Sequence, residues 1–224
     1  MNSIKLRFKF TPAGARSTLT GKRIYIGISL SESFDTQELI LRRLTQWAST
    51  TNVVVSFVVG DFFFQRNLEV LDGISHSAAC KTAMTVSRKF AGAIGEESKK
   101  LGLEPNIQFA SQLCQGSDFG TRVERLLALF KDDIAFRRRV DAGAARFLKS
   151  RSEWKTNAAT ALKHSQMYQI QEIAMFEALA AAGWTVNAYW GSHLPIMIDL
   201  VDGELRGLSP DLSKLTLIAI SRRS

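Results

Sequence analysis

The sequence predicts an α/β domain built on a parallel sheet, and three observations lead there. Residues 23–30 and 53–59 are nearly continuous apolar runs rich in β-branched side chains, the pattern of strands buried on both faces. Between them, residues 36–47 place Ile40, Leu44 and Trp47 at helical spacing behind Asp35, a residue type that caps helix N-termini. Further strand-like runs follow a long late helix, so strands and helices alternate as βαβ units require.

In chain order, Ile4, Leu6, Phe8 and Phe10 alternate with polar residues and predict a half-buried first strand. The strand–helix–strand unit of residues 23–59 comes next. A long helix is expected from Gly73 to Leu101, stopped by Gly102, and a short strand at 106–109. Helical patterns occupy 123–130 and 136–148, and a further helix runs over 157–182 to Gly183. Residues 184–190, 196–201 and 215–220 are read as late strands. No repeat, low-complexity tract or Pro/Gly linker divides the chain, so residues 1–224 are taken as a single domain.

Composition narrows the function classes. A 46% hydrophobic fraction with 22% charged residues is globular and excludes a disordered chain. The net charge of +8 favours a polyanionic partner. Cys80 and Cys114 are too few for a disulfide scaffold and are expected in or near the core. His76, His164 and His193 are scattered without metal-ligand spacing, so no metal site is expected. The alternation at residues 1–10 is unlike a signal peptide, and the apolar stretch 53–64 is too short and too interrupted to span a bilayer. A cytoplasmic protein is expected. Neither common Gly-rich phosphate loop is present, which leaves nucleotide cofactors without support.

Three constellations could carry chemistry. Ser29 closes a buried strand just before a helix, where open α/β sheets gather ligands and a helix N-terminus helps an oxyanion. Local signals alone fit a turn or capping serine as well. It is not a nucleophile elbow, because position 31 is Ser31 and not glycine. Tyr168 and Glu172, four apart, share one helical face with Ala161, Met175 and Leu179. A carboxylate in such a stripe is either buried, with a raised pKa suited to proton transfer or amine binding, or reaches out to water. On the helix after Gly73, Ala83, Phe90, Ile94 and Leu101 fall within about 40°. Opposite them, Lys81, Arg88 and Lys99 fall within about 20°, flanked by Lys89 and Lys100. Such a row is a solvated face or a contact for a nucleic-acid backbone. Arg137, Arg138, Arg139, Arg146, Lys149 and Arg151 form a second basic cluster.

Taken in order, these segments resemble the cyclodipeptide synthase family. Ile24-Tyr25-Ile26-Gly27-Ile28-Ser29-Leu30-Ser31-Glu32-Ser33-Phe34 looks like that family's nucleophile loop, and Leu44–Ala48 like its following helix. Residues 53–61, with Asn67 and Gly73 beyond, are similar to the next strand and its acid…Asn…Gly connection. Tyr168-x-x-x-Glu172 and Tyr189 stand where the family has its catalytic Tyr, Glu and second Tyr.

The resemblance implies a Rossmann-like monomer, akin to the catalytic domain of class I aminoacyl-tRNA synthetases, that uses two aminoacyl-tRNAs. It needs no metal, nucleotide, DNA or membrane. Ser29 would carry the first aminoacyl group and then the dipeptide. Tyr168 and Glu172 would hold the amine, and Tyr189 would assist proton transfer at ring closure. The pocket would be formed by Tyr25, Gly27, Glu32, Val59 and Trp190. Lys81, Arg88, Lys89, Lys99 and Lys100 would hold the tRNA acceptor arm. Glu32 and Trp190 match neither of the family's two main patterns. Glu32 could pair with a basic substrate side chain or simply favour a helix N-terminus. A serine hydrolase of small esters and a non-catalytic tRNA-binding module are the alternatives.

Overall fold

The computed structural model describes residues 6–12, 19, 21–30, 34–49, 54–151, 153–190, 195–202, 204–205 and 207–222. Its centre is the pair β2 (Arg23–Ile28) and β3 (Val54–Val59), parallel and in register from Arg23 opposite Val54 to Ile28 opposite Val59. β5 (Val186–Trp190) lies parallel to β2 on its other side, and β6 (Thr216–Arg222) lies beyond it. With β1 (Leu6–Thr11) and β4 (Ile107–Phe109) at the edges, the sheet has six strands in the order β1-β6-β5-β2-β3-β4. The parallel part is as expected. β1 differs and runs antiparallel to β6. As an edge strand it keeps an alternating pattern, with Arg7 and Lys9 exposed and Phe8 and Phe10 half-buried.

Helices cover both faces. α1 (Phe34–Ser49) and α3 (His76–Lys100) pack on one, where Ile24, Ile26, Ile28, Phe57 and Val59 meet Leu41, Leu44, Phe90 and Ile94. Asp35 falls inside the first turn of α1 and not ahead of it. α5 (Phe119–Asp132), α6 (Ile134–Ser150) and α7 (Ala158–Ala181) are associated with the other face, where Tyr25 and Val58 meet Ile173, Phe176 and Leu179. The period-2 geometry of a strand sends neighbours such as Val58 and Val59 into different cores.

Three elements depart from expectation. Residues 61–72, read as a connection, contain α2 (Asp61–Val70), whose run Phe62-Phe63-Phe64 hides any helical period. α4 (Ala110–Leu113) is a single further turn. Residues 196–201, read as a strand, form α8 (Pro195–Val201). Pro195 suits a first helical position, and Ile196, Met197 and Leu200 are buried at helical spacing.

α7 starts on Asn157, whose side chain accepts from the Thr160 amide at 2.9 Å. It ends at Gly183, whose φ of 84° lets the Gly183 and Trp184 amides turn back onto Ala180 and Leu179. Arg23, the first residue of β2, fastens this turn. Its Nη1 donates to the Ala182 carbonyl at 2.7 Å, and its guanidinium lies 4.1 Å from the centre of the Trp184 ring.

Candidate active site

A cleft of about 550 Å³, counting its open mouth, lies at the carboxyl ends of β2, β3 and β5. The β2 side contributes Tyr25, Gly27 and Ser29, one face of an extended chain, with Ser29 directly after the strand. The register sets Asn187 opposite Tyr25 and Tyr189 opposite Gly27, so β5 adds its own pair to the same cleft. Phe63 and Asn67 enter from α2, and Tyr168, Glu172 and Phe176 from α7. Ser29, the Tyr168/Glu172 pair and Tyr189, supplied by three separate parts of the fold, therefore line one cavity.

Two glycines make room. A Cβ on Gly27 would come within 3.2 Å of the Tyr189 ring, and one on Gly60 within 3.1 Å of the Ile28 carbonyl oxygen. The Gly60 amide donates to that carbonyl at 3.0 Å, tying the loop after β3 to the end of β2. Tyr168 is held between Phe63 and Phe147, with ring centres 4.9 and 5.7 Å away.

Glu172 is the electrostatic centre. It is partly open to the cleft, yet the surrounding protein desolvates it and pushes its pKa up to about 7. No described residue hydrogen-bonds or ion-pairs with it. Glu177, on the same helix, shows what a structural buried carboxylate looks like. It accepts from Arg125 at 2.5 and 2.6 Å and from the Ser209 amide at 3.1 Å. Burial, and then the charge of Glu172, hold the Tyr25 and Tyr168 hydroxyls well above the usual phenol range. A carboxylate with no partner among the described residues, sharing a cleft with phenols and a serine, can hold an ammonium and accept its proton next to an acyl group.

The cyclodipeptide synthase profile matches residues 8–196. The chain belongs to the cyclodipeptide synthase family. No curated protein matches it closely enough to count as a relative. The structure is similar to that of a cyclodipeptide synthase from Fluoribacter dumoffii, with a TM-score of 0.81, 12% identity and 99% of each chain covered. It is also similar to the cyclodipeptide synthase of Candidatus Glomeribacter gigasporarum bound to Phe-tRNA. There the TM-score is 0.66 and the identity 16%, over 93% of this chain and 91% of that one. Tyrosyl-tRNA synthetase from Archaeoglobus fulgidus shares the fold at a TM-score of 0.60 and 12% identity, covering 91% of this chain and 56% of that one.

Of the pocket residues expected from the cyclodipeptide synthase resemblance, Tyr25 and Gly27 line the cleft and two others do not. Val59 and Trp190 pack in the α1/α3 core, because each follows a cleft-facing residue, Val58 and Tyr189, on its strand. Glu32 lies outside the described residues. The structure adds Asn67, Met175, Phe176 and Asn187 to the lining. Asn187 had a legible signal, a carboxamide inside an otherwise apolar strand.

Lys81, Arg88, Lys89, Lys99 and Lys100 are all exposed along α3, opposite the buried Ala83, Phe90 and Ile94. Lys100 lies 3.6 Å from Glu97; the other four pair with no described acid. Glu97 itself is buried against α1, accepting from Arg42 and Gln46 at 2.9 Å each. The second basic cluster is partly neutralised, by Arg139 with Asp199 and Arg151 with Asp72, both at 2.9 Å.

The histidines behave differently from one another. His164 Nε2 lies 2.9 Å from Asn67 Oδ1, and this ring is not part of the cleft lining. His193 lies outside the described residues. His76, read as isolated, is gathered with Glu69 and Cys80, their donor atoms within 4.8 Å of one another on the outer ends of α2 and α3. Cys80 is thus a half-buried surface thiol and not a core residue. These three could hold a metal ion, but none of them lines the cleft. Burial pushes the Cys114 thiol up to about 12, leaving it inert. Among the described residues no helix is long and apolar enough to cross a membrane.

Proposed function

We propose that this chain joins the aminoacyl groups of two aminoacyl-tRNAs into a cyclic dipeptide by covalent catalysis on Ser29. The observation that carries this reading is Glu172, a desolvated carboxylate with no partner among the described residues, which faces the same cleft as Ser29, Tyr168 and Tyr189.

The Ser29 hydroxyl attacks the ester carbonyl of the first aminoacyl-tRNA. A new ester forms on Ser29, the bond to the tRNA ribose breaks, and the serine proton leaves with the ribose hydroxyl. Glu172 and Tyr168 hold the α-ammonium of the bound residue. An α-amine titrates at about 8, and a carboxyl at about 7 is well matched to take its proton. The freed amine attacks the ester of the second aminoacyl-tRNA, forms the first peptide bond and releases the second tRNA. The terminal amine of this dipeptide then attacks the Ser29 ester, closing the ring and restoring the serine hydroxyl, with Tyr189 moving the proton. Both substrates arrive as activated esters, so the chemistry consumes no nucleotide.

The exposed cations of α3, of which Lys81, Arg88, Lys89 and Lys99 pair with no described acid, fit the phosphates of a tRNA acceptor arm. Residues 1–224 act in this reading as one monomeric synthase unit, working in the cytoplasm where charged tRNA is found. The test is incubation with charged tRNA, followed by mass spectrometry of the medium and of the peptide containing Ser29. A cyclic dipeptide together with an aminoacyl or dipeptidyl mass on Ser29 supports the reading. Free amino acid as the sole product would point to an ester hydrolase, and tRNA binding without turnover to a non-catalytic module.

A further inference from the structure

The floor of the cleft holds polar groups that the fold itself does not use. Asn187 and Tyr25 face each other in register on β5 and β2, and are only 2% and 1% exposed. Other polar residues buried as deeply have protein partners: Asn67 has His164 at 2.9 Å, Thr45 the Leu41 carbonyl at 2.9 Å, and Glu177 has Arg125. The Tyr25 hydroxyl stands beside the Asn187 carboxamide but makes no hydrogen bond of full geometry. A carboxamide offers two donors and a two-lone-pair acceptor, more than a single phenol can satisfy. Buried polar groups are rarely left in this state without a reason.

Their surroundings define what could complete them. Met175, Phe176 and Val58 form apolar walls, and Glu172 is the sole charged residue among the described lining. We propose that Tyr25 and Asn187 read the side chain of the aminoacyl group on Ser29 and select a neutral hydrogen-bonding one, a hydroxyl or a carboxamide. The inference rests on the reading that Ser29 carries the first aminoacyl group. With Glu172 taken by the α-ammonium, a charged side chain would find no counter-ion among the described lining residues. An apolar one would seal Tyr25 and Asn187 away from water unpaired. Sites built to hydrogen-bond a substrate group reject an analogue lacking it by about 10⁴-fold or more, whereas apolar pockets discriminate far less.

The experiment presents the enzyme with a full mixture of charged tRNAs and weighs the adduct on the Ser29 peptide. Serine, threonine, tyrosine, asparagine or glutamine is expected on Ser29. The double variant Tyr25→Phe, Asn187→Leu should still be acylated, with the preference turned toward apolar residues by at least about 100-fold. Tyr25→Phe alone removes one oxygen from a packed ring and should shift the ratio in the same direction. It therefore keeps the test open if the double variant does not fold. A wild-type adduct of leucine, phenylalanine, arginine or lysine overturns the inference while leaving covalent catalysis intact, as does an unchanged adduct ratio in both variants. No adduct on Ser29 from any charged tRNA overturns both.

Discussion

The ring of Tyr189 occupies the space that a side chain at Gly27 would need: a Cβ there would lie 3.2 Å from Tyr189 Cδ2. Gly27→Ala should require a shift of a few tenths of an ångström, and Gly27→Val should drive the Tyr189 ring from its place. The valine variant should lose about 1–3 kcal/mol of stability, as overpacking does. If Tyr189 serves ring closure, that variant should accumulate the dipeptide on Ser29 while cyclic product falls. Time-resolved mass spectrometry of the Ser29 peptide reads this. Normal cyclisation in Gly27→Val would remove Tyr189 from the mechanism.

Ser29→Ala should abolish adduct and product together. The change removes a single hydroxyl and should leave the fold intact, which a denaturant melt checks. Wild-type product from this variant would sink the nucleophile assignment.

Glu172 gives a signed dependence on pH. Its pKa is raised from 4.5 to about 7 by burial, so the folded chain holds a proton that the unfolded chain has already lost within that window. Stability contributed by the neutral acid is complete below the lower value and is lost as pH rises to about 7. Glu172→Gln should flatten this slope and exceed the wild type in stability above that range, by about 1–3 kcal/mol. Activity should move the opposite way. In the wild type it should rise with pH through about 7 as the carboxylate forms, and in Glu172→Gln it should fall by orders of magnitude with tRNA affinity little changed. Denaturant melts and pH–rate profiles of the two proteins test both halves.

The stripe Lys81, Arg88 and Lys99 is exposed and has no acid paired to it among the described residues. Each phosphate contact removed should lower the log–log salt slope of tRNA binding by about 0.7 to 0.9. Reversing all three charges and finding affinity and slope unaltered would make the stripe a solvated face.

What could be read ahead of the structure followed from periodicity. The i,i+4 spacing of Tyr168 and Glu172 put them on one face, and the helix read over 157–182 up to Gly183 matches theirs to within a residue at each end. The basic row of α3 was equally legible, because a solvent-facing helix separates its two faces by charge. Strands buried on both faces carry no such contrast. Val58 and Val59 look alike in sequence, and only packing shows that the first lines the cleft and the second does not. Residues 196–201 are short and apolar, a length at which strand and helix cannot be told apart by pattern. The gathering of Glu69 with His76 and Cys80 depends on how α2 meets α3, which no local spacing encodes.

The clamp at Arg23 reaches further than its own contacts. It joins the start of Ser29's strand to the turn that links Glu172's helix with Asn187's strand, at the end of the sheet away from the cleft. The strand that leads to Ser29, the helix that carries Glu172 and the strand that carries Asn187 thus share one fastening at the base of the sheet. Arg23→Ala, measured by amide exchange, should loosen the Ala182–Thr185 turn and slow turnover without touching substrate. A residue at the far end of the sheet from the cleft therefore helps to hold the cleft's walls in mutual alignment.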